Sequence, residues 1–376
     1  MITRDSFVSS LDDVSNLGDH YDFIDGRARQ GHREPLKEIF TELSKGGPRS
    51  RIPDWALRAV LERIVEALAL TEGHENALAA LELAAGPPKS IGGSVWARGP
   101  RTASRVVAAQ TPAVIDALLR KPPDLEMAAL VLQEAVVRRK LPMESAAARE
   151  TQVRLAEAKH PLALLPLTLL DLEQGVLLPE YGLGSSGTSM PFGPMGEYQT
   201  VAAAPSVGSL EMTEATSIEW ADLIAAAVLN WKQESNGKVE ARVFRIELAI
   251  GDDVASILPK LGLESLGLAD TLRLRTSVTA KDVFTVLFSA ASSGGAYSSG
   301  ACAAYGRLLA WRSLAGLVGA PVGAPYHDVA ADSQQCHWCI FDSPSEWYCQ
   351  VAWDIGIACF NPARGEIALL AATDED

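Results

Sequence analysis

The 376-residue sequence has no apolar run long enough to cross a bilayer, which takes about 20 consecutive apolar residues. Its most apolar stretch, "PLALLPLTLL", is interrupted by Pro161 and Pro166 and reads as a buried helix or helix junction. The N-terminus is polar and acidic and lacks the basic start and apolar core of a secretory signal, so export is not expected. Cysteine is scarce: five residues, an odd number without an export signal, point to free thiols in a reducing cytoplasm. Positive charge is in deficit. With a formal net charge of -14 and no basic patch, neither nucleic acid nor an anionic membrane is expected as a partner, because phosphates repel an acidic surface. The densest basic runs, "RVFR" and "VVRRK", read as strand and helix edges facing solvent.

What is present describes a globular chain. Hydrophobic residues make up 48% and charged residues 21%, and the length suggests about two domains of roughly 100–200 residues each.

From Asp5 to about Gln174 apolar residues recur at helical spacing. In "DWALRAVLERIVEALAL", Leu57, Val60, Leu61, Ile64, Val65 and Leu68 form one stripe, with Arg58, Glu62, Arg63 and Glu66 mostly off it and Asp54 as an N-cap. Thr111 before Pro112 starts another helix by a cap and a first-turn proline. Helices joined by short Pro or Gly breaks fit either an armadillo- or HEAT-like solenoid or an irregular bundle, and no repeat of fixed length decides between them.

Between Leu178 and Gly208 the chain turns rich in Gly, Ser and Pro but keeps Tyr181, Phe192 and Tyr198, as expected of a loop packed over the second domain rather than a free linker. A helix "SIEWADLIAAAVLNWKQES" follows, then a turn at Asn236 and Gly237 and a strand whose apolar phase shifts near Val243, suggesting a bulge. "TLRLRTSV" is a second strand, and Thr279 with Asp282 opens a helix by a capping box. "SSGGAYSSG" then leads into a helix in which Ala303, Gly306, Ala310 and Ser313 suit tight packing. This glycine-rich turn is the best candidate ligand loop, although it matches neither a P-loop nor a dinucleotide fingerprint, and no cofactor is expected.

"QQCHWCIFDSPSEWYCQ" gathers three cysteines and a histidine and invites a dithiol or zinc reading. Period-two alternation from Glu346 to Phe360 favours a long strand instead, central to a three-stranded antiparallel meander with "CHWCIFD" and "EIALLAATDED". On a continuous strand Cys349 and Cys359 would lie about 33 Å apart, too far to share a metal with bonds of ~2.3 Å, so the cysteines read as core thiols and no metal is expected. Asp354, on the mixed face of that strand, would need a partner if covered.

Four stretches, "LPEYGLGSSGTSMPFGP", "ESNGKVEARVF", "GGAYSSGACAAYGRLLAWRSLAGL" and "VAWDIGIACFNPARGEIALLAATDED", resemble an uncharacterised bacterial family labelled only as a domain of unknown function. The resemblance covers roughly Leu178 to Asp376, carries no activity, and implies that the Tyr181 loop and the glycine-rich loop form one unit.

The expected fold is α+β: a helical domain over residues 1–176, a loop or linker over 177–210, and an α+β domain over 211–376. The leading functional expectation is a cytoplasmic binding or protein-interaction module whose mark would be an apolar patch on the helical half. The alternative is an enzyme or small-molecule binder with a pocket formed by Tyr181, Ser185, Glu234, Asn236, Glu240, Tyr297, Ser298, Ser299 and Arg307, with Asp354 as a further candidate.

Overall fold

The computed structural model describes residues 4–45, 52–85, 89–91, 94–96, 98–142, 144–187, 198–202, 212–246, 257–267 and 271–375. The chain divides into two compact units, neither continuous in sequence: the first takes Met1–Ala163 and Pro179–Gly187, the second Leu164–Leu178 and Thr188–Asp376. The expected loop over 177–210 is therefore split. Its Tyr181 portion packs in the helical unit, Gln199–Ala202 forms a strand in the second, and residues 188–197 and 203–210 lie outside the described residues.

The first unit holds helices α1 (Arg4–Ser9), α2 (Gly18–Arg29), α3 (Arg33–Ser44), α4 (Asp54–Leu70), α5 (His74–Ala84), α6 (Gly99–Ala109), α7 (Pro112–Arg120), α8 (Leu125–Val137) and α9 (Ala146–Glu157). Between α5 and α6 lie two short antiparallel strands, β1 (Lys89–Ile91) and β2 (Ser94–Trp96). Contacts run α2–α4–α6–α8 in one layer and α3–α5–α7–α9 in the other, the stacking of a solenoid. The apolar stripe of α4 is the reason: Val60, Leu61, Ile64 and Leu68 are fully buried, each adding about 1.5–3 kcal/mol of burial. The Thr111 cap holds, its hydroxyl accepting from the Val114 amide. On α4, by contrast, Pro53 takes the N-cap position and Asp54 is the first helical residue. Helix α8 is apolar nearly all round and is buried from Met127 to Val137, so its polar members must find partners inside.

The second unit is built on a seven-stranded sheet in the order β5-β8-β9-β10-β11-β7-β6, with antiparallel pairing between all described neighbours. The strands are β5 (Gln199–Ala202), β6 (Met212–Glu214), β7 (Lys238–Ile246), β8 (Thr271–Val278), β9 (His337–Asp342), β10 (Ile355–Asn361) and β11 (Glu366–Thr373). β9, β10 and β11 form the expected meander. One face carries helices α10 (Ile218–Ile224), α12 (Ala280–Ser293) and α13 (Cys302–Val318); α11 (Leu229–Glu234) follows α10, and α14 (Tyr326–Ser333) packs on α13. The other face is covered by Ile257, Leu258, Leu261, Leu263 and Leu266, packed on Phe244, Phe341 and Leu369.

Two-sided burial explains the apolar phase shift in β7. Val243 faces the helices and Phe244 and Ile246 the opposite core, while pairing with β11 runs unbroken from Lys238 to Arg245, so no bulge is needed. The expected long strand from Glu346 is shorter than its pattern: β10 begins at Ile355, after irregular chain in which Gln350 adopts φ 57°. Trp347 and Tyr348 pack edge to face there and Tyr348 is buried, so the period-two apolar signal came from a folded-over loop. The 33 Å separation of Cys349 and Cys359 falls with that strand. Cys336, Cys339 and Cys359 are buried, and Cys359 donates a hydrogen bond to Cys336, whose thiol is shifted down by it. Small residues on α13 pack as expected: Gly306 lies against Ser292, and Ser313 accepts from the Ala227 amide.

Candidate functional site

The odd feature of the helical unit is a row of charged side chains crossing one solenoid layer. On α4, Glu62 and Glu66 sit one turn apart; on α6, Arg101 and Arg105 do the same, and residues at i and i+4 share a helix face. Arg101 meets Glu62 at 3.4 Å and Arg105 meets Glu66 at 2.9 Å, so the two helices run parallel and are joined by two ionic rungs. Arg63 turns toward α2, donating from Nε and Nη2 to Asp25 (2.9 and 2.6 Å) and from Nη1 to Glu66 at 3.2 Å. Burial works against its charge, but the hydrogen bonds to Asp25 and the nearby carboxylates outweigh it and raise its pKa. Its guanidinium also lies 5.0 Å from the Tyr21 ring centroid.

On α8, Glu134 is fully buried beneath Arg138, with 3.5 Å between them. Ser104 donates to Glu134 at 3.0 Å, which leaves the Tyr181 hydroxyl to donate to Ser104 at 2.8 Å. Arg138, expected at a solvent edge, is instead largely enclosed, because it pairs with Glu134, donates to the Pro179 carbonyl and lies 5.4 Å from the Tyr181 ring centroid.

Tyr181 arrives on a hairpin of β3 (Glu180–Gly182) and β4 (Ser185–Gly187), which closes through Leu183 and Gly184. Gly184 has φ 76°, its amide donates to Glu66 at 3.1 Å, and a Cβ there would come within 3.0 Å of Arg63. Beside the hairpin lies a cleft of about 340 Å³. Its walls are Tyr21 from α2, Ala59, Glu62, Arg63 and Glu66 from α4, Arg101 and Arg105 from α6, and Gly184 and Ser185 from the turn. Burial raises the Tyr21 pKa, so its phenol stays a hydrogen-bond donor.

The chain belongs to a family of unknown function, DUF6183. The DUF6183 match covers residues 18–376, so it takes in the helical unit as well as the region where the sequence resemblance lay. Comparison with curated proteins and with solved structures gave no match.

The candidate residues divide between the units. Tyr181 and Ser185 belong to the helical unit, while the glycine-rich loop and its neighbours belong to the second, so the two loops do not form the single unit that the resemblance implied. In the second unit the loop's amides are already engaged: Gly295 donates to Ser298 Oγ (2.7 Å), Ala296 to Asp374 (2.7 Å) and Ser299 to Glu234 (3.1 Å). Asn230 donates to Ser298 and to the Ser299 carbonyl, and Asp374, fully buried, also accepts from Ser235. The glycines are needed for this closure, since Gly294 has φ 83° and a Cβ on it would sit 2.5 Å from the Ser298 carbonyl oxygen. Tyr297 is left exposed at the tip.

Glu240, Arg307 and Asp354 are internal partners too. Glu240 accepts from the Glu264 and Ser265 amides at 3.0 and 2.9 Å, and Asn236 is exposed in the turn before β7. Arg307 is buried on Glu173, with the Pro166 and Thr168 carbonyls taking its remaining donors. Asp354 accepts from Thr373 at 2.5 Å and from the Val351 amide at 3.1 Å. Among the described residues no group of three or more His, Cys, Asp or Glu side chains is placed to hold a metal ion, and no helix is long and apolar enough to cross a membrane.

Sequence reasoning missed Tyr21, Asp25, Arg63, Glu66, Arg101, Arg105 and Glu134. The signal that could have found the rungs was there: two like-charged pairs at i and i+4, of opposite sign, on helices two apart in the chain.

Proposed function

We propose that this is a ligand-binding protein and that a small polar molecule is received in the cleft between α2, α4, α6 and the Tyr181 hairpin. The observation that carries the reading is the cleft itself: an open space of about 340 Å³ walled by three arginines and two glutamates. Desolvating charges costs several kcal/mol per ion unless partners repay it, so a charged row left open to a cavity is a feature of a binding site more than of a core. The protein-interaction reading has less support. Its expected mark was an apolar patch, and the large apolar side chains found exposed in this unit, Trp55, Val153 and Leu183, come from α4, α9 and the hairpin turn. Five free thiols favour a cytoplasmic setting.

The test is native mass spectrometry of the chain purified from cells, beside the Arg101→Gln and Glu62→Gln variants. A stoichiometric adduct that weakens in either variant is the expected result. An adduct indifferent to both, or a bare chain that a cell metabolite extract fails to stabilise against heat, would refute the reading.

A further inference from the structure

The class of ligand follows from the hydrogen-bonding capacity left over in the cleft, and this step rests on the cleft being the binding site. Arg63 has all three nitrogens engaged, with Nε and Nη2 on Asp25 and Nη1 on Glu66. Glu66 is engaged as well: one oxygen takes Arg105, and the other takes Arg63 and the Gly184 amide.

Arg105 is different. Its side chain is only 11% exposed, Glu66 is its one ion-pair partner among the described residues, and its Nε is buried without an acceptor among them. Arg101, one turn away on the same helix face, is 48% exposed and holds Glu62 at only 3.4 Å. Each guanidinium offers five N–H donors and no acceptor, so two arginines with spare capacity leave the cleft donor-rich. Glu62 supplies the spare acceptors, and it is itself partly exposed and weakly held. Asp25 balances Arg63, so within the lining Arg101 and Arg105 are set against Glu62 and Glu66. Arg101 stands in the first turn of α6, where no acidic residue offsets the helix's positive end. The Tyr21 phenol adds a neutral donor from the facing helix.

We propose that the cleft binds an anionic group, a carboxylate or a phosphate, between the guanidiniums of Arg101 and Arg105. Glu62 turns out to solvent as the anion takes its place on Arg101. The oxygens of either group match the paired N–H donors of a guanidinium, and Arg101 and Arg105 stand one turn apart on the α6 face that lines the cleft.

The experiment is isothermal titration calorimetry of the full chain with sodium phosphate and with sodium succinate, each against sodium chloride at equal ionic strength. The variants are Arg101→Gln, which removes an exposed charge, and Arg105→Lys, which keeps the charge beside Glu66 and loses the fork; circular dichroism confirms that both are folded. Saturable one-site binding of either anion, weakened about tenfold or more in both variants, is expected. Phosphate alone would identify a phosphoryl ligand and succinate alone a carboxylate. Heats equal to the chloride control for both anions, or binding unchanged in both variants, would overturn the inference.

A parallel titration with cadaverine and the Glu62→Gln variant separates the two levels. A diamine that binds and is lost in Glu62→Gln keeps the cleft as the site and refutes the anion. If no probe responds to any of the three substitutions, and the adduct seen by mass spectrometry does not respond either, the cleft reading falls with it.

Discussion

Arg307→Met should be among the most destabilising single substitutions in the second unit. Arg307 and Glu173 are each 1% exposed, and the pair is closed on every side. Arg307 donates to both Glu173 oxygens and to the carbonyls of Pro166 and Thr168 at 2.9 Å each, while Glu173 also accepts from Trp311 Nε1 at 2.9 Å and from the Leu170 amide at 2.7 Å. Methionine fills much of the volume but leaves a buried carboxylate with two neutral donors and two carbonyls without their donor. Breaking a buried pair from one side costs about 3–5 kcal/mol. For a unit of this size each kcal/mol moves the melting midpoint by about 2–4 °C, so a fall on the order of 10 °C is expected. The assay is reversible urea unfolding followed by near-ultraviolet circular dichroism, because Trp311 stacks on Tyr326 and reports on this core. The double variant Arg307→Met/Glu173→Leu should recover much of the loss, since two apolar groups leave no orphaned charge. A single-variant loss below about 1 kcal/mol, or a double variant as unstable as the sum of the singles, would refute the assignment of Arg307 to the core.

Ser104→Ala should cost the helical unit about 1–3 kcal/mol, because it removes a donor to the buried Glu134 and the acceptor of the Tyr181 hydroxyl; chemical unfolding measures it. Gly184→Ala should loosen the hairpin by roughly 1–2 kcal/mol through its positive φ and the approach to Arg63, visible as faster amide exchange over residues 180–187. Two carboxylates should give pH dependences of opposite sign. Burial raises the Asp342 pKa above its ordinary 3.8, with Asp354 adding to the rise and Arg273 opposing it. The folded state therefore holds that proton more tightly than the unfolded chain, stability falls as pH rises through the raised value, and Asp342→Asn should gain on wild type from pH ~4 to ~7. Asp116 is lowered, chiefly by the Ser145 hydroxyl and with help from Arg120, so its stabilisation is present above 3.8 and lost as pH falls through the lowered value. Asp116→Asn should accordingly fall furthest behind wild type near neutral pH, and unfolding titrations across that range read both differences.

Local signals in the sequence were legible where one residue or one periodicity governed the outcome. The α4 stripe, the Thr111 cap and the Thr279–Asp282 capping box each depend on a few neighbouring positions, and each formed. Signals that depend on the far side of an element misled. Val243 and Phe244 looked like a slipped register because both faces of β7 are covered, a fact held by residues 257–266 and by the helices, not by β7 itself. Trp347, Cys349, Val351 and Trp353 alternate as a strand would, yet Gln350 in the left-handed region turns the chain, and no alternation rule detects that. The charged row was harder still. Arg138 looks solvated until Glu134, one turn earlier, is known to be buried, and Ser104 and Arg138 are among the partners that let Glu134 be buried.

Two ionic networks among the described residues differ in a way that bears on function. Around Arg307 and Glu173 every guanidinium nitrogen donates to an acceptor, and the pair is sealed, tying the Pro166–Glu173 segment to α13. A network of that kind has completed its role when the chain folds. Around Arg105 the account does not close: Glu66 is shared among three donors while Arg105 Nε has no acceptor, and the space beside it is open. Stability alone would favour either a sealed network or apolar replacements, because an unmet buried donor costs about 1–3 kcal/mol. The helical unit carries such unmet atoms at Arg105 Nε and also at His20 Nδ1, Asn76 Oδ1 and Arg138 Nε, and of these four residues Arg105 is the one that lines the cleft, so a ligand that pairs with its guanidinium would act where the network is incomplete.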